Sequence, residues 1–79
     1  MPNYIRLKAF GILAEKIGVD SLEIENPGSS GALRRLLLQQ FPALQSLTFR
    51  MAVDRKLIQA ETDISAGQEI ALLPPFSGG

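Results

Sequence analysis

The residues with the most evident chemistry stand together at the end of the sequence, Pro74-Pro75-Phe76-Ser77-Gly78-Gly79. A chain that stops on two glycines ends in a carboxylate with no Cβ beside it, on a backbone free to take φ/ψ values closed to other residues. The expected property is an end that can thread a narrow enzyme cleft, with the Gly79 carboxyl as its reactive group. Pro74 and Pro75 fix φ at about −65° and cannot donate to a sheet ladder, so they end any strand that reaches Leu73 and begin a stiff, extended exit. At about 3.3 Å per extended residue, the four residues after Pro75 reach roughly 13 Å beyond the body. The competing reading of the last glycines is an ordinary disordered terminus. The two prolines and the strand pattern leading into them argue against it.

The rest of the sequence is poor in catalytic groups. It has no cysteine and no histidine, which removes disulfides, thiolate–zinc sites, thiol nucleophiles and the side chain that ordinarily titrates near neutrality. Any chemistry at Gly79 is therefore expected to borrow its catalytic groups from another protein. Glu61, Asp63 and Glu69 are scattered along turns and make a weak case for a metal, so no metal site is expected. Asn26-Pro27-Gly28-Ser29-Ser30-Gly31 is rich in glycine but lacks the lysine and the spacing of a phosphate loop, and nucleotide binding is rejected there. Eight basic and eight acidic residues give a formal charge of zero with no like-charge run, so the electrostatic footprint of nucleic-acid binding is missing. The longest apolar runs, such as Leu36-Leu37-Leu38, fall far short of a membrane span, and the N-terminus lacks an apolar signal region. No membrane association and a cytoplasmic location are the expectations.

A tail needs a body to hold it. Seventy-nine residues suit one domain near the lower size limit for a single core. From Tyr4 to Phe10 the sequence alternates, with Ile5, Leu7 and Ala9 on one side and Tyr4, Arg6, Lys8 and Phe10 on the other, the period of a half-buried strand. Gly11 breaks it. Ile12 to Ile17 suits one or two helical turns, closed by Gly18 as a C-terminal cap. Ser21 to Glu25 alternates again, Leu22 and Ile24 inward, as a hairpin-like return. After the Asn26 to Gly31 loop, Ser29 or Ser30 is placed to cap a helix. Leu33, Leu36, Leu37 and Phe41 then recur at helical spacing from Ala32 to Phe41, with Leu38 left on the exposed side.

Pro42 closes that helix, and Pro42 to Leu47 reads as a connection with a possible short helix whose Leu44 and Leu47 close the bottom of the core. Thr48 to Val53 is the third predicted strand, with Phe49, Met51 and Val53 on one side and Arg50 and Ala52 on the other. Asp54-Arg55-Lys56 is a turn and Leu57-Ile58 a very short strand. Ile64 is the apolar anchor of the Thr62 to Gly67 connection, with Gly67 a turn glycine. Glu69 to Leu73 is the last strand, Ile70 and Leu72 inward, Ala71 and Leu73 outward. One helix stripe and one sheet face are the large apolar surfaces, so they pack as a two-layer α+β domain, a mixed sheet of about five strands on one main helix. The domain spans residues 1–75 and the extended tail residues 76–79.

This order, together with Gly18, Gly67, Glu69 and the ending Pro74-Pro75-Phe76-Ser77-Gly78-Gly79, resembles the small subunits of molybdopterin synthase, a family of ubiquitin-like sulfur carriers. The resemblance covers essentially the whole chain, and its specific part is the last eight residues, an apolar pair followed by two prolines, two further residues and Gly-Gly. Leu33 matches an apolar helix position of the family, and the Asp54 turn falls where its members often have asparagine. Ser30 departs from the apolar residue expected one step after the cap. The resemblance implies the β-grasp (ubiquitin-like) fold. It implies that an adenylating enzyme of the ubiquitin-activating type spends ATP to activate the Gly79 carboxyl, and that a sulfur donor enzyme converts it to a thiocarboxylate. The large synthase subunit, in a heterotetramer, would then use that sulfur on the pterin precursor of molybdenum cofactor. No cofactor would be bound by this chain itself.

On this reading Phe76, Ser77, Gly78 and Gly79 thread partner active sites, and Leu73, Pro74, Pro75, Phe76, Ala71, Arg6, Lys8 and Arg50 make up the partner-binding surface. Bland alternatives stand beside these assignments. Phe76 either folds back on the body or anchors in a partner groove, and Arg6, Lys8 and Arg50 either bind a partner or form a solvated face. The functional alternatives are a carrier for thiamine or another sulfur pathway, a modifier conjugated to lysines through Gly79, and a binding module without terminal chemistry.

Overall fold

The structure, a computed structural model, describes residues 3–74. The expectations for Pro75, Phe76, Ser77, Gly78 and Gly79, and for the boundary after residue 75, lie outside the described residues. Strand β1 (Tyr4–Ala9) leads into a short helix α1 (Ile12–Ile17) and back along β2 (Ser21–Glu25). Helix α2 (Ser30–Gln40) and a 3-10 turn (Pro42–Ser46) cross to β3 (Arg50–Val53), β4 (Lys56–Leu57) and finally β5 (Glu69–Leu73). The strands form one mixed sheet in the order β2-β1-β5-β3-β4. The last strand lies parallel to β1 and antiparallel to β3, so it is central rather than at an edge. This is the five-stranded α+β architecture that the alternating patterns imply.

Alternation decides which side of the sheet is covered. Ile5, Leu7, Ala9, Met51, Val53, Ile70 and Leu72 face the helix and join Leu13, Leu33, Leu37 and Leu44 in one buried cluster, with Leu22 and Ile24 packed at its margin. Gly18 closes α1 in the left-handed region, its N–H reaching the Ala14 carbonyl at 2.8 Å. Ile64 is buried under its loop, as expected of an anchor.

Four details differ from the sequence pattern. The main helix starts at Ser30, two residues before the expected start, because Ser29 is the cap and its Oγ accepts the Ala32 N–H at 3.2 Å. Leu38 packs against the core while Leu36 stays outside the cluster. At about 100° per residue Leu36 and Leu38 stand equally far to either side of the stripe from Leu33 through Leu37 to Phe41, so the helical period does not choose between them. The 3-10 turn crosses on the side of Leu38, where the Gln45 side chain donates to the Leu38 carbonyl. Phe49 is buried but precedes β3, which begins at Arg50. Ala52 faces outward and is nevertheless buried, since Ala71 and Leu57 flank it on the neighbouring strands.

Candidate functional site

The site is the root of the tail, where β5 leaves the sheet. Ile70 and Leu72 are fully buried on its inner side, and the strand is hydrogen-bonded on both flanks, so pulling it out would break two ladders and the core together. At the exit the Phe10 N–H donates to the Leu72 carbonyl at 3.2 Å. Pro74 then lies against Gly11, where an added Cβ would meet Pro74 Cγ at 3.5 Å. Gly11 has φ 60° and ψ −135°, a conformation that residues with a Cβ rarely adopt. It lets β1 turn into α1 directly beside the departing chain.

The start of β5 is clamped as firmly. Asp54 and Arg55 form the two-residue turn between β3 and β4 with φ of 49° and 72°, both in the left-handed region that a tight hairpin requires. In that turn the Asp54 carboxylate accepts the Glu69 N–H at 3.0 Å and the Gln68 side-chain amide at 3.1 Å. The Asp54 N–H donates to the Glu69 carbonyl at 2.8 Å. Behind it, the connection from β4 is strapped across the start of α2. Ser30 Oγ accepts the Thr62 N–H at 2.9 Å, and the Ser30 N–H donates to the Thr62 carbonyl. A buried serine at a position expected to be apolar is thus accounted for by two bonds that fasten the loop leading into β5.

The outer sheet face gathers most of the expected partner surface. Register sets Arg6 between Glu23 and Glu69, Lys8 beside Ala71, Ala71 beside Ala52, and Leu73 opposite Arg50. Lys8 Nζ lies 3.5 Å from Glu69 Oε1, so its charge is engaged within the chain. Arg6 is likewise flanked by acids, and Arg50 is the base set against the apolar Leu73. Glu69, which sequence alone placed among scattered acids, belongs to this pairing. Sequence reasoning missed Leu57, which is 46% exposed and lies across from Ala52 on the same face. Phe10, also exposed, stands where the tail departs. The signals for the missed positioning residues were slight: a lone glycine after β1, an aspartate in a two-residue turn, and a serine following a cap.

Among the described residues no three acidic side chains converge as a metal site would need, and no helix is long and apolar enough to cross a membrane. What the geometry offers is a strand held on both flanks, followed in the sequence by the segment that carries Gly79.

Comparison with known proteins gives a consistent picture. A family model described as the ThiS family matches residues 7–79. The sequence is 34% identical to the molybdopterin synthase sulfur carrier subunit of Dictyostelium discoideum, covering all of both chains. It is 32% identical to the protein of the same name from Haemophilus influenzae, over 89% of this chain and 93% of that one. In structure it is similar to the small archaeal modifier protein 1 of Methanosarcina acetivorans, with a TM-score of 0.81 at 23% identity over 96% of each chain. The last likeness concerns the fold, and it agrees with a β-grasp domain.

Proposed function

The chain belongs to the ThiS family, and from that membership we propose that it is the sulfur-carrier subunit of a molybdopterin synthase. The observation that carries the reading is the origin of the tail: the Pro-Pro-Phe-Ser-Gly-Gly segment continues from the central strand of the sheet, held on both sides by β1 and β3. A body built this way fixes the strand from which the tail departs. Relatives at 34% and 32% identity named as sulfur carrier subunits support it.

In this reading the Gly79 carboxylate attacks the α-phosphorus of ATP held by an adenylating partner, and pyrophosphate leaves. A carboxylate is a poor electrophile until its oxygen becomes part of a good leaving group, which the AMP ester provides. Hydrosulfide released by a donor enzyme attacks the acyl carbon, AMP leaves, and the thiocarboxylate results. The large synthase subunit receives the tail and uses that sulfur on the pterin precursor, after which Gly79 is again a carboxylate. The catalytic groups sit on the partners. The residues of this chain bind and orient: Phe76 to Gly79 enter the partner sites, while Leu73, Pro74 and the outer sheet face seat the body. The reaction sequence belongs in the cytoplasm, where ATP and the partners are available.

The test is intact-mass analysis of the chain after incubation with the adenylating enzyme, ATP and a sulfur source, followed by mixing with the large subunit. The expected product has one terminal oxygen replaced by sulfur and supports product formation by the synthase; deleting Gly79 abolishes both. A chain that acquires sulfur but serves thiazole formation instead would move it to the thiamine pathway. Adducts on other proteins that survive thiol reductant and vanish without Gly79 would make it a modifier. No mass change under conditions that load a known relative would refute terminal sulfur chemistry altogether.

A further inference from the structure

Beside the root of the tail, and meeting the outer face at Arg50, the surface holds a groove of about 590 Å³ between the first turns of α2 and the segment after β4. We propose that this groove docks an acidic segment of the large synthase subunit, an inference that rests on the sulfur-carrier reading above. Its walls carry two guanidinium groups, Arg34 and Arg50, over a floor that includes Phe49 and Ile58. Among the described residues the one ion pair within 4.0 Å is Lys8 with Glu69, so both arginines lack an acidic partner there. Glu61 also lines the groove, but its carboxylate lies over Gly31. A methyl at Gly31 would overlap Glu61 Oε1 and stand 3.8 Å from Arg35 Nη1. Against this one carboxylate the groove sets the two guanidinium groups of Arg34 and Arg50, so one positive charge is in surplus.

Arg34 is also held in place before any partner arrives. Its guanidinium stacks over the Phe49 ring at 4.5 Å and donates to the Phe49 carbonyl at 3.4 Å. An arginine fixed by stacking loses little further freedom on pairing with a carboxylate, and its planar fork matches carboxylate geometry. Arg50 supplies the continuity with the tail. It lines the groove and is the register partner of Leu73, so a protein that receives the tail is brought over the groove by the same approach. The surplus of positive charge selects an acidic segment, and charge complementarity of this kind raises the association rate and fixes the orientation.

The experiment measures association of the full chain with the purified large subunit, by biolayer interferometry at low and high salt. Arg34→Glu and Arg50→Glu are each expected to weaken binding about tenfold at low salt, with a smaller loss at high salt, since screening removes the interaction that the variants reverse. Lys16→Glu makes the same charge change on α1, outside the groove, and is expected to leave the affinity unchanged. Arg34 contributes a stacking contact to the fold, and Arg50 also belongs to the outer face, so Arg34→Gln, which removes the charge and keeps a planar amide against Phe49, is measured beside them: weaker binding at low salt supports the groove, and wild-type affinity overturns it. Equal affinity for wild type and both groove variants overturns the proposal, as does a loss that is the same at both salts. A groove variant that retains the large subunit but loses a labelled single-stranded oligonucleotide bound by wild type also overturns it, in favour of phosphate binding. A wild-type chain that acquires sulfur and binds the large subunit while the variants match it refutes the groove alone. A wild-type chain that does neither refutes the sulfur-carrier reading and the groove with it.

Discussion

Replacing Asp54 by alanine should loosen the strand that carries the tail. Two contributions are lost. The Asp54 carboxylate accepts the Glu69 N–H at 3.0 Å and the Gln68 amide at 3.1 Å, and a hydrogen bond to a charged group contributes about 1.5–3 kcal/mol when well buried. This site is exposed, so water replaces part of the interaction and about 1 kcal/mol is the appropriate share. The second contribution is conformational: Asp54 holds φ 49°, and a residue without a short polar side chain spends roughly 1 kcal/mol more there. The total is about 2 kcal/mol, which for a domain of this size lowers the melting temperature by roughly 8–16 °C. Asp54→Asn keeps an acceptor oxygen and the tolerance for positive φ, and is expected to stay within about 0.5 kcal/mol of wild type. Urea unfolding of both variants measures the difference, and amide exchange at Glu69 reports whether the loss is local to the clamp. If the alanine and asparagine variants unfold together, or if Glu69 exchanges no faster in Asp54→Ala, the assigned role of this carboxylate is wrong.

Three further substitutions test the scaffold around the root. Ser30→Ala removes the acceptor of the partly buried Thr62 N–H and should destabilise by about 1–2 kcal/mol, more than the roughly 1 kcal/mol of losing the Ser29 cap; thermal melts of the two variants give the ranking. Arg55→Gly should stabilise by about 0.5–1 kcal/mol, because glycine holds the φ of 72° found there without strain and Asp-Gly suits this hairpin turn; a lower urea midpoint would contradict the turn assignment. Gly11→Ala meets only ordinary contact with Pro74 but must hold φ 60° and ψ −135°, which costs about 1–3 kcal/mol. Calorimetry that finds it neutral would show that the β1–α1 junction relaxes.

Much of the body is legible because its elements have clean periods. The alternation of Ile5, Leu7 and Ala9 and of Ile70 and Leu72 marked both central strands and their buried sides, and the caps at Gly18 and Ser29 follow from local backbone needs. Where the pattern misled, a neighbour distant in sequence decided the outcome. Leu36 and Leu38 stand two residues apart on the same helix, and nothing in their own spacing says that the 3-10 turn will cross beside Leu38. Lys8 reads as a free base until the parallel pairing of β1 with β5 brings Glu69 within 3.5 Å of it. Ser30 reads as misplaced in an apolar slot until the Thr62 backbone arrives to occupy its hydroxyl.

The sequence by itself determined which residue types are at hand. Gly78 and Gly79 have no Cβ, Pro74 and Pro75 cannot donate to a sheet ladder, and cysteine and histidine are absent. These are properties of residue types and need no fold. Only the tertiary structure decided how the strand leading to that end is held. The strand leading to it is the central one, with Asp54 clamping its start and Gly11 lying beside its exit, and Arg50 joins its last residue to a cationic groove. Each of these depends on bringing segments together across 15 to 63 positions of chain, a choice made by burying the apolar faces of sheet and helix against one another.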